Sequence, residues 1–348
     1  MLAKESRKTA ILPFCMFCSA LCMAIAMPAV TAEAVRQACK LCAVRLLPSL
    51  FACMVAARFF TESGADSFLS HVFRRPLCAL FACSERAGAI LLCGMLSGFP
   101  CGAVLIRDAY RAQQIDNREA AALAGLANLP SPGFFIALIG SSYRARTMDG
   151  VLLLLCHWFA VCLSAPLFLH QVTQQNSPCT TPPAQSTAAP LYALCNCIGS
   201  AGAECLRVTA FVSYFSVLLA TVQKLTAALL PTAVTAFVLE LTAATQALHQ
   251  AGAPLFTYAA CCGFSGICTM AQVRCVLPSE ISLRPYLFEK LLHALLCPML
   301  IVAFTCSYPA YVRGLACIFP FALLLLRFCQ QKRKSLLRPK SRNKLPHF

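Results

Sequence analysis

Leu96-Ser97-Gly98-Phe99-Pro100-Cys101-Gly102-Ala103 and Asn128-Leu129-Pro130-Ser131-Pro132-Gly133-Phe134 each interrupt an otherwise apolar stretch, and their reading decides the fold. Two prolines in three residues cannot stay inside an unbroken helix, because each removes a backbone donor and clashes with the preceding turn. Two further interruptions lie downstream. Glu240-Leu241-Thr242 puts a carboxylate into an apolar run, and Gly263-Phe264-Ser265-Gly266 leads on to Gln272. Gly, Pro and polar side chains at membrane depth are tolerated where they line a cavity or pack inside a bundle. The two interruptions come in a similar order in each half of the chain.

The stretches around them are apolar enough to need lipid. Of 348 residues, 59% are hydrophobic and only 12% charged, and the mean hydropathy is +0.70. So little polar surface cannot cover a water-soluble globule. About 20 apolar residues span a bilayer core, and such stretches fall near 11–30, 40–60, 88–106, 119–140, 149–169, 205–223, 225–247, 253–276, 288–307 and 311–329. None shows the alternation of an outer-membrane barrel strand, so each reads as helix. The expectation is an all-α polytopic membrane protein of about ten segments, both of whose halves contain broken helices.

The net charge of +16 is not spread like a nucleic-acid-binding surface. Arg327, Lys332, Arg333, Lys334, Arg338, Lys340, Arg342 and Lys344 crowd the C-terminal end, and basic flanks mark the cytoplasmic side. Counting back one crossing per segment puts Arg74, Arg75, Arg144, Arg146, Arg284 and Lys290 inside, with Lys4, Arg7 and Lys8. Both termini are then cytoplasmic, and the uncharged, Pro- and Thr-rich stretch from Gln171 to Pro190 is a flexible linker on the far side. One loop disagrees, since Arg107, Arg111 and Arg118 fall outside, accompanied by Asp108, Asp116 and Glu119. The basic start, the apolar run Ile11 to Met27 and the small residues after it resemble a signal peptide, but a retained first helix keeps the charge count. The division expected is 1–32 first helix, 33–170 first repeat, 171–190 linker, 191–308 second repeat, 309–330 last helix and 331–348 basic tail.

Enzyme chemistry finds little footing. The 24 cysteines are scattered along apolar helices, where Cys is a small packing residue. Cys15 with Cys18, and Cys39 with Cys42, have the gap of a zinc pair without further ligands at suitable spacing. No Ser-His-Asp set or phosphate loop is evident, and His157 and His293 stand alone in apolar helices. No cofactor or metal is expected.

Pro48-Ser49-Leu50-Phe51 can be set against Val212-Ser213-Tyr214-Phe215, a faint repeat preceding each pair of interruptions. Paired halves with discontinuous helices at matching positions point to a secondary transporter with its site at the repeat interface. A broken helix exposes free N–H groups and a positive dipole end that receive an anionic or polar solute. The substrate-binding set read from the breaks is Ser97, Gly98, Pro100, Gly102, Asn128, Ser131 and Pro132, facing Gly263, Ser265 and Gln272. Arg107, Arg207 and Arg274 are candidate anion partners, although an arginine at a helix end more often snorkels to the interface. A carboxylate at the centre of a membrane helix costs roughly 2.5–3.5 kcal/mol on insertion scales. Glu240 is therefore expected to be protonated, paired with an arginine such as Arg207 or Arg274, or engaged in proton or sodium coupling. Close helix packing alone is the plainer reading of the same small residues.

The run from Leu96 to Ala103, with Asp108, Tyr110, Glu119, Asn128, Ser131-Pro132 and Phe134, resembles the signature of the YlbJ family of sporulation integral membrane proteins, also called SpoVV. Leu239-Glu240-Leu241-Thr242, Gly263-Phe264-Ser265, Ala271-Gln272-Val273, Pro285-Tyr286-Leu287, Lys290-Leu291 and His293-Ala294 agree with it in order. The resemblance covers nearly the whole chain from Pro48. Ala243 and Ala244 stand where that family leads one to expect a glycine, and the aromatic residues often preceding Pro48 are missing. What the resemblance implies is a nucleoside-recognition, or Gate, fold related to concentrative nucleoside transporters. It further implies transport of dipicolinic acid from the mother cell across the outer forespore membrane, in a bacterial multi-pass membrane protein whose oligomeric state stays open. A nucleoside carrier on the same fold, and a non-transporting scaffold of the spore envelope, are the alternatives.

Overall fold

The computed structural model describes residues 21, 23–63, 77–78, 80–81, 83–173, 190–226, 231–305 and 308–337, and among them all regular structure is helical. Most of the expected first helix, the linker between 174 and 189 and the tail beyond 337 lie outside the described residues. The elements are α1 (Pro28–Leu41), a π-helical turn (Cys42–Leu46), α2 (Leu47–Glu62), α3 (Glu85–Ser97), α4 (Cys101–Arg111), α5 (Asn117–Leu126) and a π-helical segment (Phe134–Tyr143). There follow α6 (Thr147–Thr173), α7 (Pro190–Thr226), α8 (Thr232–Leu239), α9 (Leu241–Gln250), α10 (Leu255–Phe264), α11 (Gly266–Val276), α12 (Arg284–Phe304) and α13 (Ala310–Leu337).

Among the described residues four helices are long and apolar enough to cross a bilayer: 147–169, 191–226, the α10–α11 pair over 255–276, and 284–304. The α1–α2 pair, bent by 59° beside Pro48, is a fifth if counted as one span. That makes the chain an integral membrane protein. The stretches 88–106, 119–140 and 225–247 are divided by the interruptions identified in the sequence, and the first and third depart from one crossing per stretch.

The first departure is α3–α4. A Cβ added at Gly94 would come within 2.3 Å of the Ala127 carbonyl oxygen, and one at Gly102 within 2.1 Å of the same atom. Eight residues along a straight helix span ~12 Å. Two positions that far apart cannot both touch one oxygen, so the chain turns back on itself at Gly98-Phe99-Pro100. Gly98 has φ +78°, in the region where glycine carries no Cβ penalty, and a Cβ there would meet the Ser131 backbone at 2.7 Å. Ser84 caps the start of α3, accepting from the Ala87 N–H at 3.2 Å.

The second departure is α8–α9, and it follows from parity. The Arg144 guanidinium donates to the Ala253 carbonyl at 3.1 Å, so the turns at 144–146 and 251–254 share a face. Between them lie α6, α7 and α8–α9. With α6 and α7 crossing, α8–α9 must return to the face it left. The contact of Asn117 Nδ2 with the Glu280 carbonyl, 3.0 Å, gives the same answer for the opposite face. The lengths agree, since eight and ten residues of helix rise ~12 and ~15 Å, about half a bilayer core each. α7 runs antiparallel to α1–α2, with Ser213 beside Cys39 and Glu204 beside Arg58.

These hairpins correct the crossing count made from charge. Arg144 and Arg146 lie on the opposite face from Arg284, not with it, and the loop holding Arg111 and Arg118 joins the Glu280 loop. The start of α13 lies near α10, with the Tyr308 and Phe256 rings 6.4 Å apart, so α13 runs toward the Asn117 face. The helix ends flanking the 174–189 linker lie on that face as well, instead of across from the tail. Lys290, expected at a cytoplasmic flank, is 1% exposed inside α12.

The fold rests on backbone contact at glycine. Val at Gly102 should therefore remove folded protein or lower the thermal midpoint, with overpacking costing ~1–3 kcal/mol or more. Gly199→Ala meets nothing within 4 Å and serves as the neutral control. Equal behaviour of Gly102→Val and wild type in detergent thermal unfolding would contradict the hairpin packing.

Candidate functional site

The four helix breaks converge. In the first half, the Phe99 N–H donates to the Leu129 carbonyl at 2.8 Å, joining the α3–α4 turn to the loop after α5. The Phe99–Pro100 peptide is cis. Asn128, fully buried, uses its whole amide on backbone: Oδ1 accepts from the Ala103 N–H at 2.9 Å, and Nδ2 donates to the Ala124 carbonyl at 2.7 Å. It thus caps the first turn of α4 from the neighbouring break. The Ser131 hydroxyl accepts from the Phe134 N–H at 3.2 Å at the start of the π-helical segment, just after Pro132. Ser97 donates to the Cys93 carbonyl at 2.7 Å.

In the second half Glu240 lies between two helices. Its backbone is extended, φ −148° and ψ 119°, and its carboxylate caps α9, accepting from Thr242 N at 3.0 Å, Thr242 Oγ1 at 2.9 Å and Ala243 N at 2.6 Å. A carboxylate at a helix N-terminus satisfies orphan donors and sits at the positive end of the helix dipole. This is a role that the expectation of an arginine partner did not foresee. Ala243, standing where a glycine was expected, contributes one of those donors. Ser265 and Gly266 are both left-handed, φ 66° and 76°, and a Cβ on Gly266 would lie 3.3 Å from the Glu240 nitrogen, so the two breaks of this half abut. Ser265 donates to the Cys262 carbonyl at 2.7 Å and Thr269 to the Ser265 carbonyl at 2.8 Å. Gly263 makes room for the His293 carbonyl, 2.6 Å from where its Cβ would be.

Between the halves lies a cavity of about 30 Å³. Phe99, Ser131 and Phe134 enter from the first pair of breaks, Glu240, Thr242, Thr269 and Gln272 from the second, and Leu46, Leu50, Val208 and Val212 close the sides. Leu50 and Val212 belong to the two stretches compared as a faint repeat. Gln272 is 2% exposed; its amide nitrogen reaches the Cys268 sulfur at 3.3 Å and its Oε1 has no protein partner. The space is about that of a water or two.

Of the expected set, Ser131 and Gln272 line this cavity together with Glu240. Ser97, Gly98, Pro100, Gly102, Asn128, Pro132, Gly263 and Ser265 shape the breaks around it, and their polar atoms are turned to backbone. The arginines lie elsewhere. Arg107 pairs with Asp108 at 2.8 Å, Arg207 with Glu204 at 2.8 Å, and Arg274 donates to the Leu277, Pro278 and Ile281 carbonyls beyond the end of α11. Thr269 was not expected; a threonine four residues after a helix-breaking serine was its only signal.

A second, open cavity of about 830 Å³ lies on the Arg144 face. Arg36, Lys40 and Arg45 line it with Glu33, and the Tyr143 and His249 rings stack there at 4.9 Å with Arg45 5.3 Å over the Tyr143 centroid. Compared with protein-family models, curated proteins and solved structures, the chain matches none.

Asn128→Ala leaves the Ala103 N–H and the Ala124 carbonyl without this side chain, at ~1–3 kcal/mol for each buried group left unpaired. The variant should unfold at markedly lower temperature in detergent, whereas Gln272→Ala should not. Full stability of Asn128→Ala would show that the amide is not the clamp described.

Proposed function

We propose that this chain is a secondary transporter for a small anionic solute, with its site where the broken helices of two inverted halves meet. The observation that carries this reading is the cavity between Ser131 and Gln272, built from all four breaks. Support comes from the order of elements. α1–α2, the α3–α4 hairpin, the broken α5 pair and α6 are followed by α7, the α8–α9 hairpin, the broken α10–α11 pair and α12, entered from opposite faces. A solute larger than water enters only when the halves part, which is the rocking motion of alternating access.

The resemblance to the YlbJ family makes dipicolinate the solute, carried across the outer forespore membrane. Its two carboxylates need donors and positive charge, since an unpaired buried charge is prohibitively costly. The cavity holding Arg36, Lys40, Arg45 and the Tyr143–His249 stack offers a flat dianion both cations and an aromatic surface on the way in or out. The Asn117 face receives Arg111, Arg118, Arg284 and the basic end of α13, so the positive-inside rule makes it cytoplasmic. The loop holding Arg111 and Arg118 then accords with the rule, whereas Arg144, Arg146 and the cationic cavity stand on the far side.

A nucleoside is the second reading, favoured by one observation: the inner cavity presents Glu240, Thr242 and Gln272 and no cation. Proteoliposomes holding the purified protein separate the two. Saturable uptake of labelled dipicolinate, indifferent to uridine and reduced about tenfold or more in Gln272→Ala through a lost hydrogen bond to charge, is expected. Uptake blocked by uridine transfers the assignment to nucleosides, and no uptake by well-folded protein removes the carrier reading.

A further inference from the structure

The inward face of α12 carries Glu289, Lys290 and His293, 0%, 1% and 0% exposed, none of which touches the solute cavity. Glu289 Oε1 lies 3.0 Å from His293 Nε2, and Oε2 lies 3.6 Å from Lys290 Nζ. His293 Nε2 is also 3.1 Å from the Ser164 hydroxyl of α6, which donates on to the Ala160 carbonyl. A buried ion pair that serves structure alone recovers its desolvation cost by hydrogen-bonding its remaining atoms. Here, among the described residues, Glu289 is held by His293 and Lys290, with no backbone or hydroxyl donor to either oxygen, and His293 Nδ1 has no partner. We propose that Glu289 and His293 form a proton-carrying site, holding one exchangeable proton between carboxylate and imidazole in the membrane interior.

Ionisable side chains placed so deep are costly and mark relays and ion paths. The Lys290 ammonium beside the carboxylate disfavours a second cation there, and among the described residues no third metal-ligating side chain joins Glu289 and His293. In the proposed step hydronium gives a proton to the pair: one O–H bond of hydronium breaks, one O–H or N–H bond forms on Glu289 or His293, water is left, and the pair becomes one charge more positive. The other titratable groups that face the site are Tyr286 and Cys297 of α12 and His157 of α6; Cys156 of α6, Cys262 of α10 and Cys268 of α11 stand behind these, beside Cys297 and Tyr286. α13 joins α12 through an apolar core that includes Phe319 and Leu323, and α5 presents Gly125, where a Cβ would meet Glu289 Oε2 at 2.6 Å.

The site is tied to the first-half breaks. Lys290 donates to the Asn128 carbonyl at 2.8 Å, and Asn128 in turn caps α4. A proton that weakens the hold of Glu289 on Lys290 changes the ammonium that fixes this loop, which couples proton occupancy to the hairpin.

The proton site deepens the carrier reading but is testable without it. Infrared difference spectra of the lipid-embedded full chain, recorded between acid and alkaline buffer with no solute, should contain a protonated-carboxyl band. That band should vanish in Glu289→Gln, shift in His293→Gln and persist in Glu240→Gln. Should Glu289→Gln fail to fold, Glu289→Asp must move the band. Absence of the band in the wild-type protein, or spectra unchanged by Glu289 and His293 substitutions, overturns the proposal. In proteoliposomes an acid gradient should accelerate dipicolinate uptake by the wild type and lose that effect in His293→Gln; an equal response of the two overturns the coupling. A chain that binds the proton at Glu289 yet takes up no solute keeps this site and loses the carrier reading.

Discussion

A peptide group left unpaired in hydrocarbon costs several kcal/mol, and every break in this chain's buried helices has to answer to that cost. The answers interlock. Phe99 N–H goes to Leu129, Ala103 N–H to the Asn128 side chain, and the Asn128 carbonyl to Lys290 of α12. In the second half the Glu240 carboxylate takes the free N–H groups of Thr242 and Ala243. Within the first half, each break is completed by a group from the other break or from α12, so these pieces stabilise one another rather than standing alone.

That mutual dependence places the cavity. Because α3–α4 turns back against the loop after α5, Phe99 and Ser131 meet; because Glu240 abuts Gly266, Glu240 and Thr269 meet. Glycine makes the first approach feasible, with Gly94, Gly98 and Gly102 each presenting bare backbone to residues 127–131. In a membrane, where apolar side chains gain little by leaving lipid for protein, such close packing and interhelical hydrogen bonding are what hold helices together. The α12 helix then joins the parts, resting on Gly125 through Glu289 and on Gly263 through the His293 carbonyl.

The helical membrane class and the positions of the breaks were legible, since Gly98-Phe99-Pro100, Pro130-Ser131-Pro132 and Glu240 punctuate the apolar runs in ways hydropathy cannot hide. Direction was not. A stretch such as 88–106 has the same composition whether it crosses or returns, and only the contacts of Gly94 and Gly102 with one carbonyl distinguish the two. Asn128 reads as a ligand in the sequence, since a polar residue in a break can face a solute; the orientation of its amide toward Ala103 and Ala124 is a tertiary fact. Arg207 and Arg274 were candidates by charge, but a glutamate three residues away and a nearby set of carbonyls take them first. In the sequence Lys290 reads as an interfacial flank and His293 as a lone histidine, although the i, i+4 spacing of Glu289 and His293 puts them on one face.

The proposal of two inverted halves rests on two hairpins that return to the face they leave. Its most direct test is to insert a short epitope, one at a time, near Gln113, Ala145, Gly252 and Ser282 of the full chain, and to measure antibody access before and after permeabilisation. The account predicts that the insertions near Gln113 and Ser282 share one side while those near Ala145 and Gly252 share the other. Gln113 appearing with Gly252, and Ala145 with Ser282, would mean that every apolar stretch crosses and would contradict it.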